Sequence, residues 1–475
     1  MPARKVGLPT DVPDDLARGL AAIRERLSIP TEFPADVLAA AEGAAARPRL
    51  VDHDRTDLEL ITIDPPDARD LDQALHIGRT ADGYVISYAI ADVAAFVSGG
   101  DLLDHEAHRR GMTMYAPDRR IPLYPPVLSE GAASLLPDQI RPALLWTIRL
   151  DAHGQMVDAD VVRARVRSRE QLSYEQAQAE LDGGEPREVL RLLAEVGTWR
   201  ESRERDRGGV SLQIPDQEVR QSAEGWTLGY RANLAVEGWN AQISLLTGMA
   251  AAHLMLYGQV GILRTLPPAD HFALRRLHST AKALRVPWPA ELDYPEFVRS
   301  LDPSRPDQAA VLNACASLFR GAAYKAFSGG IPEEAEHAAL AIDYAHVTAP
   351  LRRLVDRYAG EVCVSLCADQ PAPVWVLQAL DQLPDEMARA ERLAKSYERA
   401  VIDLVEVLLL RDRVGETLVG TVVEVEEKGR RGEVMIKEPA IAARVRGDHL
   451  PLGHEVVVKL ISADPEKGAV EFALA

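Results

Sequence analysis

Four aspartates crowd the segment Thr62-Ile63-Asp64-Pro65-Pro66-Asp67-Ala68-Arg69-Asp70-Leu71-Asp72-Gln73-Ala74, all within nine residues. Pro65 and Pro66 forbid a regular helix there, so the chain must loop. A loop can draw Asp64, Asp70 and Asp72 together although they lie six and two residues apart in sequence. Like carboxylates held close repel one another and take up protons or a cation. Hard oxygen ligands suit Mg²⁺ or Mn²⁺, which commonly keep waters and accept phosphate oxygens as remaining ligands. The chemistry such a set implies is metal-assisted hydrolysis of a phosphodiester. On spacing alone the same residues also suit an Asp-rich surface turn, since Asp and Pro are ordinary turn formers.

The segment resembles the catalytic signature of the ribonuclease II/R family, the RNB domain. The family pattern sets aspartates at relative positions 0, +6, +8 and +9 after a Thr-Ile-Asp start, and Asp64, Asp70 and Asp72 match the first three. The fourth is Gln73, which offers a neutral carbonyl oxygen in place of an anionic ligand. The resemblance implies that Asp64, Asp70, Asp72 and Gln73 hold the metal, with Asp72 central to catalysis.

Three later segments extend the resemblance in order. Thr113-Met114-Tyr115-Ala116-Pro117, leading to Ile121-Pro122-Leu123, is similar to the family's Thr-x-Tyr-x-Pro…Ile-Pro stretch. Tyr115 thereby looks like the tyrosine that stacks on the 3′-terminal nucleotide and helps set the final product length. A phenol ring suits that task because every base offers a π-face. Leu128-Ser129-Glu130…Ser134-Leu135 also resembles a family run and reads as architecture. Tyr344-Ala345-His346-Val347-Thr348-Ala349-Pro350-Leu351-Arg352-Arg353-Leu354-Val355-Asp356-Arg357 is similar to the Tyr-Ala-x-x-Thr-Ser-Pro-Ile-Arg-x-Tyr-x-Asp block. Its Arg352 is the counterpart of the catalytic arginine, able to hold a phosphate bidentately and to stabilise charge developing in the transition state. Arg353 and Arg357 suit either a backbone channel or a pair with Asp356, and His346 receives no role. Both Ala390-Glu391-Arg392 and Tyr397-Glu398-Arg399-Ala400 echo an Ala-Glu-Arg segment. The distance to the C-terminal barrel favours Glu398 as the contact near the terminal nucleotide.

The elements that must position these residues follow from periodicity. Asp14–Arg26 and 34–46 read as Ala/Leu-rich helices, either a small helix-turn-helix unit or an extension packed on the main body. Leu58–Ile63, Tyr84–Ala89 and Ala143–Leu150 read as strands, with turns at Asp82-Gly83 and 151–154. A helical pattern runs from Ser173 to Glu204, a glycine-led strand from Gly208 to Leu212, an apolar helix from Asn233 to Gly258, and further helices to Leu410. Five short strands then crowd the last sixty or so residues, as in a small barrel of the oligonucleotide-binding type. Gly415–Ala475 resembles an S1 domain, and its single aromatic, Phe472, leaves binding to Lys428, Arg430, Arg431, Arg444 and Arg446. The expected class is α+β: a helical module over 1–50, an RNB-type catalytic domain over 51–412 and an S1 barrel over 413–475. Family members usually carry two cold-shock domains ahead of the catalytic one, and fifty helix-like residues cannot hold two β-barrels.

Composition bounds the rest. The 475 residues carry a formal net charge of −18, which argues against indiscriminate coating of nucleic acid but fits a site that gathers cations. No apolar run reaches the roughly 18 residues of a membrane span, and Met1–Val12 lacks a secretory core. Three cysteines cannot build a disulfide framework, so Cys315, Cys363 and Cys367 read as reduced thiols. The expectation is a cytoplasmic, monomeric, Mg²⁺- or Mn²⁺-dependent 3′→5′ exoribonuclease that processively degrades single-stranded RNA to 5′-mononucleotides. Two rivals stand beside it: an RNA-binding protein whose catalysis is weakened by Gln73, and an RNA-associated hydrolase acting on another phosphodiester.

Overall fold

The structure, a computed structural model, describes residues 14–475 apart from 211–215, 223–224, 232, 303–304, 316–317, 319–320, 427–428, 437, 439 and 466–467. The segment Met1–Val12, the strand residues Ser211 and Leu212, and Lys428 therefore lie outside the described residues.

The first half closes into a five-stranded barrel of Leu60–Asp64, Gln73–Arg79, Gly83–Ala91, Ile140–Asp151 and Met156–Ser173. Neighbouring strands run antiparallel until the first closes in parallel on the last, with Asp64 opposite Ser173. Three of these strands agree with the strands expected from sequence to within a few residues. Gln73–Arg79 and the 18-residue strand Met156–Ser173 are additional to them, although the latter carries the period-two signal. Ala164, Val166 and Ser168 are buried in it while Arg163, Arg165, Arg167 and Arg169 alternate on the other side. The many arginines hide the pattern, because few of the inward residues are large. Trp146 and Tyr88, cross-strand neighbours, are fully buried.

Helices follow. The stretch expected to be one helical run from Ser173 is two helices, Tyr174–Asp182 and Glu188–Asp206, parted at Gly183-Gly184, where Gly184 takes φ +86°. Ser173 and Gln176 cap the first reciprocally. Ala235–Tyr257 is buried along much of its length, and Leu354–Cys367 and the 28-residue Leu383–Leu410 complete the half. An antiparallel pair, Val260–Thr265 with Ala323–Ser328, is embedded among them.

The chain ends in a second closed barrel of Thr417–Val425, Arg431–Ile436, Ile441–Arg446, Glu455–Asp464 and Ala469–Leu474, the five strands expected. It is not a bead on a string. Its core residues Val422, Val434, Val458 and Phe472 join one apolar cluster with Leu404, Val405 and Val407 of the long helix and Leu16, Leu20 and Ile23 of the helix Asp14–Arg26. The other N-terminal helix, Ala35–Ala46, buries Val37 and Ala41 in the main core instead. Both N-terminal helices thus lie against the main body.

Candidate active site

The aspartate loop leaves the first barrel strand at Asp64, turns at Pro65–Ala68 and re-enters the barrel at Gln73. Ser134 holds it down: its hydroxyl donates to the Arg69 carbonyl at 2.6 Å and accepts from the Leu71 N–H at 2.9 Å, and Leu135 N–H reaches the Leu71 carbonyl at 3.0 Å. The Leu128–Leu135 run is therefore architecture, and the architecture is that of the catalytic loop.

Asp72 is 3% exposed. One carboxylate oxygen accepts from the Leu351 N–H at 2.8 Å and the other from Arg352 Nε at 3.1 Å. Burial, aided by Asp70 and Asp356, pushes its carboxyl up to about 7 against the pull of Arg352 and the Leu351 N–H. Two segments 280 residues apart are thus joined at one carboxylate. The join is reinforced by backbone pairing no motif announces. Thr113 N–H bonds the Arg352 carbonyl at 2.9 Å and Leu354 N–H the Gly111 carbonyl at 3.0 Å, so the segment leading to Tyr115 is stitched to the arginine segment. Gly111 at φ +72° allows this: a Cβ there would lie 2.5 Å from that of Ala390 on the long helix.

Tyr115 stands 46% exposed on a two-residue strand paired with Arg120-Ile121, its hydroxyl 3.3 Å from Asp70. Asp70 forms an ion pair with Arg120, a residue that sequence reasoning missed although it sits in the same motif as Tyr115. Asp64 is half-buried, and its field reaches both Arg352 and the Tyr88 hydroxyl. Gln73 is occupied at both ends: its amide donates to the Thr348 carbonyl at 2.6 Å, and its own carbonyl accepts from Tyr88 at 2.7 Å. It acts as a tie between the barrel and the arginine loop, a role that the family pattern alone does not suggest. Thr348 continues the chain to Ser244 at 2.8 Å.

The remaining motif residues fall around this centre. Arg353 makes a bidentate pair with Asp356 at 2.6 and 2.8 Å, and Asp356 also accepts from the Ala349 N–H at 2.7 Å, bracing the loop. Arg357 is buried on Asp104 at 2.7 Å, which places it away from any channel. His346 is buried against the Tyr324 hydroxyl at 2.7 Å. Glu398 is half-buried on the long helix, one residue beyond the fully buried Tyr397, while Glu391 pairs with Arg264 at 2.8 Å.

Among the described residues no three His, Cys, Asp or Glu side chains stand together as an ion cage, since Asp70 turns to Arg120 and Asp72 to Arg352. The donor set nonetheless fits a hard divalent cation. It consists of carboxylate oxygens, and one of them is buried beside like charge and gains from any added positive charge. Among the described residues no helix is long and apolar enough to cross a membrane.

Fold and site together define a protein built around a carboxylate loop at a barrel rim, an opposed arginine and an appended oligonucleotide-binding barrel. Residues 52–362 match the RNB domain and residues 416–475 the RNase II-type exonuclease C-terminal S1 domain. The chain belongs to the RNB family. Ribonuclease R of Aquifex aeolicus is 27% identical over 99% of this chain and 69% of its own length. Ribonuclease R of Escherichia coli is 26% identical over 78% of this chain but 48% of its own. Among solved structures, Mycoplasma genitalium RNase R in complex with ribose-methylated single-stranded RNA shares the fold with a TM-score of 0.86 at 19% identity, covering 97% of this chain and 78% of that one. Yeast Ssd1, a pseudonuclease, shares it with a TM-score of 0.70 at 16% identity over 93% of this chain and 57% of its own.

Proposed function

We propose that the chain is a 3′→5′ exoribonuclease that hydrolyses single-stranded RNA processively to 5′-mononucleotides. The observation that carries this reading is the direct contact of Arg352 with Asp72, under an exposed Tyr115 whose hydroxyl reaches Asp70. The names of the relatives, ribonuclease R, and the RNA-bound structural neighbours support the substrate class.

Asp64, Asp70 and Asp72 would hold Mg²⁺ or Mn²⁺, with Gln73 as their tie to the arginine loop. Such an ion, when bound, activates a water and neutralises charge on the scissile phosphate. The chain's own residues do the rest. Tyr115 stacks on the terminal base and keeps the 3′ end in register. Arg352, free to leave Asp72 for an incoming phosphate, offers its guanidinium to the charge that develops on the phosphoryl oxygens. Glu398 lies on the helix that flanks the Tyr115 strand and supplies the acceptor near the terminal nucleotide. A reader of the 2′-hydroxyl separates RNA from DNA. The protein acts as a monomer in the cytoplasm.

A second reading, an RNA-binding protein with weakened chemistry, starts from Gln73 in place of a family aspartate, and the ribonuclease names of the relatives do not favour it. Incubating 5′-labelled RNA and DNA oligomers of one sequence with Mg²⁺ decides between them. Nucleotide release from RNA alone supports the nuclease; binding without release supports the second reading; equal cleavage of DNA contradicts a 2′-hydroxyl reader.

A further inference from the structure

The exposed tyrosine stands on a hairpin too small to hold itself. Its two strands, Met114–Tyr115 and Arg120–Ile121, pair over two residues each, and its turn adds one backbone bond, Ala116 N–H to the Arg119 carbonyl at 3.1 Å. An isolated hairpin of this size is marginal in water. Something outside must fix where Tyr115 points.

Beside the Arg120–Asp70 pair and the pairing of Gly111 and Thr113 with the arginine segment, part of that support comes from the N-terminal helix. Arg24, in the last turn of Asp14–Arg26, is 8% exposed. Its Nε donates to the Tyr397 hydroxyl at 2.9 Å, and its terminal nitrogen ion-pairs Asp118 in the turn of the hairpin. Tyr397 is fully buried on the long helix and immediately precedes Glu398. Burial opposes the charge of Arg24, and Tyr397 and Asp118 together sustain it. Around this bolt, Leu20 and Ile23 of the first helix, Met114 and Ile121 of the hairpin and Val401 of the long helix share one apolar cluster. A guanidinium suits the task because its planar fork can serve two acceptors in fixed directions at once.

We propose that Arg24 is a positioning residue that locks the Tyr115 hairpin to the long helix, and that this lock sets the distance between the stacked terminal base and the Asp72–Arg352 pair. The N-terminal helix then governs where degradation stops, without touching RNA itself. The inference rests on the nuclease reading for its consequence, though not for the mechanical coupling.

The test compares wild type with Arg24→Met, which keeps the apolar stem, Arg24→Lys, which keeps the charge, and Asp118→Asn, which breaks the pair from its more accessible side. Two readouts are taken. Hydrogen exchange of the peptide spanning 112–121 reports the hairpin. The size distribution of final products from a 5′-labelled oligoribonucleotide reports the stop point, alongside kcat and KM for short and long substrates. The proposal expects several-fold faster exchange in 112–121 for Arg24→Met and Asp118→Asn. It also expects longer and more heterogeneous end products, with KM for short oligomers rising more than kcat on long RNA falls, and partial restoration in Arg24→Lys. Unchanged exchange in Arg24→Met and Asp118→Asn overturns it. So does faster exchange with an unaltered product length, or an equal loss on all substrate lengths, which marks a merely structural residue. If wild type releases no nucleotide, the nuclease reading fails, and the exchange measurement still decides the coupling.

Discussion

A carboxylate 3% exposed must be matched by its neighbours, and Asp72 is matched by one arginine and one backbone N–H. Asp72→Asn keeps an oxygen for the Leu351 N–H and nearly the same volume, but removes the charge that faces Arg352. Mononucleotide release should fall at least about a hundredfold, the scale seen when one preorganised electrostatic partner is removed, while RNA affinity stays within a few-fold. Undiminished release in a single-turnover assay would remove the mechanism proposed for this site. Gln73 makes the opposite case. Aspartate at that position is one methylene shorter and acceptor-only, so it cannot donate to the Thr348 carbonyl and would set two acceptors against each other. Gln73→Asp should destabilise the metal-free protein by about 1–3 kcal/mol, the cost of a broken buried hydrogen bond, while raising Mn²⁺ affinity through the added charge. Denaturant unfolding in chelator and a Mn²⁺ titration check both halves; unchanged metal-free stability would show that the tie contributes nothing to the fold.

At the scale of elements, the C-terminal barrel shows how charge is deployed. Arg431 and Arg446 stand directly opposite each other on adjacent strands, and Arg444 is exposed on the same strand as Arg446. Like charges directly opposite destabilise a sheet, and Glu471, 3.7 Å from Arg446 and opposite Arg444, offsets part of that cost; these are the basic residues that the resemblance to an S1 domain assigns to RNA. Replacing Arg431, Arg444 and Arg446 by alanine should weaken RNA binding more at low than at high salt. The slope of log affinity against log salt should become shallower by about one for each phosphate that is no longer neutralised. Filter binding at several salt concentrations measures this, and an unchanged slope would take these arginines off the RNA path. Deleting the whole barrel is a poorer experiment, because Val422, Val434 and Phe472 share a core with the long helix and removal would expose it. The same scale shows what sequence can reveal. The five C-terminal strands are legible because each is apolar, short and bounded by turns. The strand Met156–Ser173 is not, because its inward residues are mostly small and its outward ones arginine, so alternation survives in period but not in contrast. Asp72 and Arg352 are legible as residue types within ordered motifs. Their contact is not, and neither is the backbone pairing of Gly111 and Thr113 with Leu354 and Arg352, since nothing local encodes a partner so distant along the chain.

Taken whole, the molecule places its chemistry on a seam. The barrel half and the helical half meet through polar ties buried to different depths: Gln73 to Thr348, Arg163 to Asp92 and Glu361, and Arg357 to Asp104, which also receives the Tyr358 hydroxyl. His346 and His337 lie within the helical half beside the arginine loop, the first bonded to Tyr324 and the second packed edge-on against Tyr344. Burial, with Arg264 adding to it, lowers the His337 imidazole to about 4, and burial together with Arg353 and Arg264 keeps that of His346 well below its ordinary value. An imidazole whose pKa is depressed on folding binds fewer protons in the native than in the unfolded state. Stability from these groups is complete above about pH 6.5 and drains away as pH falls toward the folded value, near 4 for His337. The thermal midpoint should therefore drop between about pH 6.5 and 4 by more in wild type than in His337→Gln, which has no proton to gain. The hydrogen exchange of the segment 344–354 should rise in step, because His346 lies within it and His337 packs against Tyr344 at its start. Parallel pH profiles for the two proteins would show that His337 titrates in the fold as it does in the unfolded chain, and would detach the acid sensitivity of the site from this packing.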